Sequence, residues 1–414
     1  MAKDYCYTDG EKKGLLAVLK AWSDHLLRSK ASVAIIGGGI IGASIAYNLS
    51  VKGIDDVVLF EKSKFGSGST QAALGGFRHQ FSNELSIRLS KESIKIIERF
   101  KDLTGYDPLV KKDGYLFIAS TEESLKQLKK NMDLALKNGV DVEFLSGDEL
   151  QRRFPFYRFD KVLGGTLSMQ DGHASTLAVL QGYVSKAREL GAELHENLEA
   201  IGIKPGDSGL GIIVQTHEGD VRAEQVVIAA GAYSGLVGDL ARVSIPIKPY
   251  PRKILVTHPF RDGIPDDIPL IIDVDSTLGM GREGRGVIMA DNAPVESSFD
   301  LVFPDDYDER VMSMALERIP ALKTASIAYA DKGLYEMTPD ANPIVSSIPE
   351  FPGLFCCAGF AGHGFMHAPI IGQLMSEMLA GAKPHLDISS FSIERFRKKT
   401  NVPPGTEEEE GLII

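Results

Sequence analysis

Val33-Ala-Ile-Ile-Gly37-Gly38-Gly39-Ile-Ile-Gly42 constrains the fold of this chain more than any other stretch, because an apolar, β-branched run enters glycines spaced G-x-G-x-x-G. A helix pattern follows from Ala43 to Leu49, and a second apolar run, Val57-Val-Leu-Phe60, ends in Glu61, nineteen residues after Gly42. Strand, glycine turn, helix, strand and acid in that order specify a β-α-β dinucleotide-binding unit. Gly37 permits the tight turn, Gly39 lets the backbone approach a pyrophosphate, and Gly42 lets the helix pack on the strand. Ile40 and Ile41, within the glycine motif, are candidate cofactor contacts just ahead of a helix N-terminus whose N–H groups and positive dipole end favour phosphate. Glu61 is placed to hydrogen-bond ribose hydroxyls, with Lys62 beside it.

A chain of 414 residues is too long for one core and suggests two domains. With 43% hydrophobic and 24% charged residues it is globular, and a net charge of −11 repels nucleic acid. Cys6, Cys356 and Cys357 have no metal or redox spacing, so they read as residues of a reducing compartment and no metal is expected. No run of 18 apolar residues occurs, and the N-terminus lacks a signal-peptide pattern. The expectation is a cytoplasmic protein, and a homo-oligomer such as a homodimer.

Between residues 11 and 30, Leu15, Val18, Leu19, Trp22, Leu26 and Leu27 recur at helical spacing with lysines and arginines on other faces. This basic amphipathic helix packs on its own domain, on a second subunit, or peripherally on the inner face of a membrane. The remaining pattern divides into a dinucleotide-binding part (31–105, 160–245 and 335–396), a substrate part (106–159 and 246–334) and an acidic tail (397–414). A long helix is expected from about Ser82 to Asp102, a short one N-capped at Ser146, and another from Ser175 to Leu190. The stretch 246–334, with strands among prolines and glycines, reads as mainly antiparallel. The fold class is therefore α/β: a Rossmann-like nucleotide domain with an inserted, mainly antiparallel β (α+β) substrate domain.

One glycine fingerprint does not separate NAD from FAD, but two further segments do. Val226-Val-Ile-Ala-Ala-Gly231 is a buried strand ending in small residues, where Ala230 and Gly231 let backbone pass close to a dinucleotide. Gly353-Leu-Phe-Cys-Cys-Ala-Gly359-Phe-Ala-Gly-His-Gly364-Phe-Met is a second strand, glycine loop and helix. A helix N-terminus returning to the same site suits a flavin, whose reduced ring carries negative charge. Gly359, Gly362, His363, Gly364, Phe365 and Met366 are thus candidate cofactor contacts, together with Leu198.

The glycine triad with Glu61, the Ser67-Gly68-Ser69-Thr70 loop, Gly75-Gly76-Phe-Arg78-His79, Met337-Thr-Pro-Asp340 and Gly359 to Gly364 resemble the D-amino-acid oxidase family of flavoproteins. The resemblance runs from about 31 to 396. It points to the branch containing sarcosine oxidase, dimethylglycine and sarcosine dehydrogenases, and archaeal dye-linked L-proline dehydrogenases. It implies hydride removal from a carbon bearing an amine, with the C–H held about 3–3.5 Å from the flavin. Arg78 matches a family arginine and is the expected grip on the substrate carboxylate. Tyr335 matches a substrate-lining tyrosine of sarcosine oxidase or is a core tyrosine. His363 contacts the flavin or fixes its turn, and His79 lines the pocket or packs.

Where sarcosine oxidase has a carboxylate-binding lysine, this chain has Met366, which makes the pocket more apolar. Covalent-flavin relatives use a cysteine matching Gly333 or a histidine matching about Ala72, so non-covalent FAD is expected. The oxidase's oxygen-activating lysine falls near Ile288, and no lysine lies between Leu255 and Leu322. A flavin face without a cation would stabilise superoxide poorly. The resemblance therefore implies an FAD-dependent dehydrogenase of a small secondary-amine amino acid, L-proline ahead of sarcosine, with a quinone or an electron-transfer protein as acceptor. The alternatives are a sarcosine- or glycine-oxidase-like amine oxidase, and a flavoprotein assembly or electron-transfer subunit that turns over no amino acid.

Overall fold

The computed structural model describes residues 27–397 apart from Asp55, Asp207, Ser208, Leu210, Arg261 and Asp262. Most of the expected N-terminal helix and the acidic tail beyond Arg397 lie outside the described residues. The helix does not extend to residue 30: Lys30 opens a strand, and Arg28 pairs with Asp56 and Glu193, each at 2.6 Å.

The first of two eight-stranded sheets has a parallel centre, in the order Leu354–Ala358, Gly219–Ile228, Lys30–Ile36, Val57–Phe60 and Glu193–His195. Ile36 lies opposite both Ile228 and Phe60. Val57–Phe60 is buried throughout, as continuous apolar runs are when a parallel sheet is covered on both faces. Helix Ile40–Val51 is apolar nearly all round because it is enclosed by the sheet and by helices Thr176–Glu189 and Gly364–Leu379. Strand Ile344–Ser347 closes one edge antiparallel.

The second sheet runs Ile327–Met337, Lys248–Thr257, Gly286–Asp291, Leu278–Glu283, Leu270–Asp273, Tyr115–Ala119, Gly164–Ser168 and Glu143–Ser146. Every neighbouring pair is antiparallel except Leu270–Asp273 with Tyr115–Ala119. Two expected boundaries need correction. Gly164–Ser168, grouped by sequence with the nucleotide segments, belongs to this sheet: at Gly164 and Gly165 a Cβ would meet the Phe144 ring at 2.7 Å and the Phe117 carbonyl oxygen at 2.5 Å. A break at 335 would cut strand Ile327–Met337, which pairs with Lys248–Thr257 as far as Met337.

The long helix expected from Ser82 breaks at Arg99 into Glu84–Glu98, capped by Asn83, and Phe100–Thr104. The capping box at Ser146 and Glu149 forms as expected. Cys356 and Cys357 are buried strand residues. Among the described residues no helix is long and apolar enough to cross a membrane.

Candidate active site

The glycine turn after Ile36 opens onto a cavity of about 870 Å³, within the roughly 300–1,000 Å³ range of small-molecule sites. Gly37, at φ +118°, passes so close to the neighbouring strand that a Cβ would sit 2.3 Å from the Ala229 carbonyl oxygen. Gly39 instead faces open space, its one neighbour being Thr70 Oγ1 at 3.4 Å. The Ile40 N–H donates to that hydroxyl at 3.0 Å, and Ile41 also lines the wall. Gly42 does not reach the cavity; it seats the helix, since a Cβ there would fall 2.0 Å from the Gly37 carbonyl oxygen.

Glu61 closes this end. Its carboxylate accepts from the N–H groups of Gly38 and Ser63, both at 2.8 Å, which fixes it at the strand end beside the glycine turn. Lys62 lies 3.4 Å over the Tyr233 ring. Gly68, Ser69 and Thr70 form the adjoining wall, and Ser69 Oγ donates to the Leu334 carbonyl at 2.6 Å, tying this loop to the second sheet. Leu198, Ala230 and Gly231 complete this part of the wall.

The other end gathers the residues expected to meet a substrate. Gly75 and Gly76 line it, and the short pairing of Gly76–Phe77 with Gly172–His173 carries Arg78 inward. Arg78 is 3% exposed and held between the rings of Phe81 and Phe117, at 4.3 and 5.1 Å. It donates to the Gln80 carbonyl and, at 2.9 Å, to His363 Nε2. Burial first, and then the Arg78 charge, push His363 well below the usual histidine range, so its imidazole is neutral and Nε2 accepts. Tyr335 lines the cavity beside Gly362, where a Cβ would lie 2.6 Å from its Cζ. Gly364, Phe365 and Met366 follow on the first turn of helix Gly364–Leu379.

Two further sequence candidates lie off the wall, and for His79 packing is the alternative that holds. His79 is not on the cavity wall: its Nδ1 and its backbone N–H both meet Asp171 Oδ1, at 2.6 and 3.0 Å, with Asp171 fully buried. Gly359 is likewise off the wall and serves the turn, at φ +88° with a would-be Cβ 2.6 Å from Thr338 Cγ2.

Sequence reasoning missed three wall residues. Arg252 stands 5.1 Å from the Tyr335 ring centroid, donates to the Pro251 carbonyl at 3.2 Å, and has a buried Nε without a partner. Burial holds its guanidinium below the usual value against the pull of Tyr335, Tyr307 and Asp291. Tyr115, whose hydroxyl burial pushes up, lies against Gly76. Glu336 is the third. The expectation of a wall short of cations is therefore corrected: Arg252, Lys253 and Lys332 all line it. Both lysines are engaged, Lys253 by Asp308 and Lys332 by the Leu301 carbonyl at 3.2 Å. Ile288 is buried and off the wall, while Ala290 is on it. Gly333 and Ala72 both line the cavity in mutual contact, a Cβ on Gly333 falling 2.8 Å from that of Ala72.

The family model described as DAO, FAD dependent oxidoreductase, matches residues 32–378. The chain is 26% identical over 422 residues to human mitochondrial dimethylglycine dehydrogenase, across 96% of this chain and 47% of that protein. It thus spans about half the length of that curated relative. It is 30% identical to FAD-dependent oxidoreductase domain-containing protein 1 of Xenopus laevis, across 89% of this chain and 83% of that one. The crystal structure of L-proline dehydrogenase from P. horikoshii is similar at a TM-score of 0.83 and 30% identity, covering 90% of this chain and 99% of that one. The cavity fits the cofactor this family uses: bare glycine backbone at Gly39, a carboxylate fixed beside the glycine turn, and a buried Glu336 oxygen without a partner among the described residues. The chain belongs to the DAO family of FAD dependent oxidoreductases, and FAD is its cofactor.

Proposed function

We propose that the protein is an FAD-dependent dehydrogenase acting on the CH–NH bond of a small amino acid with a substituted nitrogen, L-proline ahead of sarcosine. Electrons pass to an acceptor other than oxygen, a quinone or an electron-transfer protein. FAD, when bound, supplies the hydride acceptor. Gly37, Gly39, Ile40, Ile41, Glu61, Lys62 and the 68–70 loop hold its nucleotide part, with Leu198, Ala230 and Gly231. The segment from Gly362 to Met366 meets its ring, with no covalent bond to the protein.

The observation that carries this reading is the pairing of two guanidiniums, buried Arg78 and half-buried Arg252, with a neutral imidazole and protonated phenols. Tyr335 feels both arginine charges. Two guanidiniums near one phenol suit a carboxylate, which each grips through N–H donors. Ile254, Ile272 and Ala290 line the same cavity and give it an apolar part of the wall. Burial raises Tyr335 and Tyr115, and His363 is held neutral with its Nε2 occupied. None of these three groups is a strong base at neutral pH, so the amine binds already deprotonated.

The activities named for the relatives support the nitrogen preference. Dimethylglycine and L-proline are both amino acids with a substituted nitrogen, and the L-proline dehydrogenase structure is matched over almost its whole length. A panel of L-proline, D-proline, sarcosine, dimethylglycine and glycine with an artificial dye acceptor, run beside an oxygen electrode, tests the reading. Dye reduction fastest with L-proline and little oxygen uptake is the expected outcome. Rapid oxygen uptake with glycine or sarcosine would assign an oxidase instead.

A further inference from the structure

Strand Ile327–Met337 ends inside the cavity, and it brings a second ionisable side chain there directly after Tyr335. Glu336 Oε1 accepts from the Phe360 N–H at 3.2 Å, and the Gly359 N–H also serves this carboxyl. Oε2 is buried with no partner among the described residues. A Cβ on Gly231 would lie 3.2 Å from Oε2, and one on Gly364 would lie 3.9 Å from Oε1. Both glycines line the cavity, so only the absence of their side chains leaves room over the carboxyl.

A buried carboxyl oxygen without a partner costs free energy unless a ligand supplies one. No cation among the described residues does so. The strand Leu354–Ala358 beside it offers the thiols of Cys356 and Cys357, and Arg395 is committed to Asp340 at 2.7 Å. Burial raises the Glu336 carboxyl to about 7, against the pull of the Phe360 and Gly359 N–H groups. An ionised carboxylate here would also sit in a cavity that receives an anionic dinucleotide, which favours the neutral form further.

We propose that Glu336 in its protonated form donates Oε2–H to an acceptor atom of bound FAD where the cavity passes between Gly231 and Gly364, so that cofactor affinity falls as pH rises through neutrality. This rests on FAD as the cofactor and not on which amino acid is oxidised. The sign follows from linkage: a carboxyl that is neutral in the complex and ionised in the free protein must take up a proton for FAD to bind with the hydrogen bond intact, so binding weakens as pH rises.

The test is the dissociation constant of FAD for the apoprotein, read by quenching of flavin fluorescence from pH 6 to 8.5. The wild type is expected to weaken by roughly tenfold over that range. Glu336→Gln, which keeps a donor and cannot ionise, is expected to bind like the wild type at pH 6 and to show a flat profile. Glu336→Leu, which has no donor, should be weak throughout, with circular dichroism and Tm confirming that it folds. A wild-type affinity that is flat or strengthens with pH would overturn the proposal, as would a Glu336→Gln profile as steep as the wild type's. Both results stand whether or not L-proline proves to be the substrate.

Discussion

Arg78 and Arg252 differ in how much of each guanidinium is spoken for. Arg78 is clamped by two rings and already donates to Gln80 and His363, whereas Arg252 has a buried Nε without a partner and one long bond to the Pro251 carbonyl. Losing one charge-assisted contact to a carboxylate costs about 1.5–3 kcal/mol, roughly tenfold to a hundredfold in affinity. Arg252→Met is therefore expected to raise KM for the amino acid by that factor, with kcat less affected and FAD binding intact. Arg78→Met should weaken substrate capture and also release His363, so kcat falls too. Unaltered substrate affinity in both variants would remove the carboxylate grip from the account. At this scale Arg78 was legible because it sits in a glycine motif; Arg252 and Glu336 were not, because nothing in the residues flanking a strand charge marks it as facing a cavity. Their surroundings come from Tyr335 for one, and from Gly231 and Phe360 for the other. The buried state of His363, Tyr335 and Tyr115 carries a pH prediction as well. With these groups neutral across the physiological range, kcat/KM should rise with pH toward the pKa of the substrate's own amine; a bell centred near pH 6.5 would point to a titrating histidine.

The elements repeat a lesson about local and distant information. Helix Ile40–Val51 was legible residue by residue, because strand, turn and helix signals adjoin and Gly42 can only be small: its Cβ would fall 2.0 Å from the Gly37 carbonyl oxygen. Gly42→Ala should lift this helix off its strand at a cost of about 1–3 kcal/mol. Purified protein is expected to show a lower Tm and a lower flavin-to-protein absorbance ratio, and full flavin content at unchanged Tm would contradict that packing. Strand Gly164–Ser168 was not legible as part of the second sheet. Two glycines weaken its strand signal, and its place depends on Phe117 and Phe144, far away in sequence. For His79 the choice between lining and packing was left open for a related reason. Its neighbour Arg78 faces the cavity, and only the fold reveals that Asp171 holds the histidine behind the wall.

Taken as a whole, the molecule sets a nucleotide sheet against a mainly antiparallel sheet with one cavity shared by both. Gly333 and Ala72 are informative at this scale, because the family resemblance matches Gly333 and about Ala72 to covalent flavin anchors, the fold brings the two close together, and neither carries a nucleophile. Acid precipitation should therefore release all the yellow chromophore, and flavin fluorescence remaining with the denatured polypeptide on a gel would contradict the non-covalent linkage. The central claim is that this cavity oxidises a small amino acid with a substituted nitrogen. The most direct measurement is anaerobic addition of L-proline to the FAD-loaded protein while the flavin absorbance is followed. Bleaching at a rate that saturates with L-proline is the predicted result. An oxidised spectrum that neither L-proline, sarcosine nor dimethylglycine alters, in protein that dithionite still bleaches, would contradict it and leave a flavoprotein that turns over no amino acid.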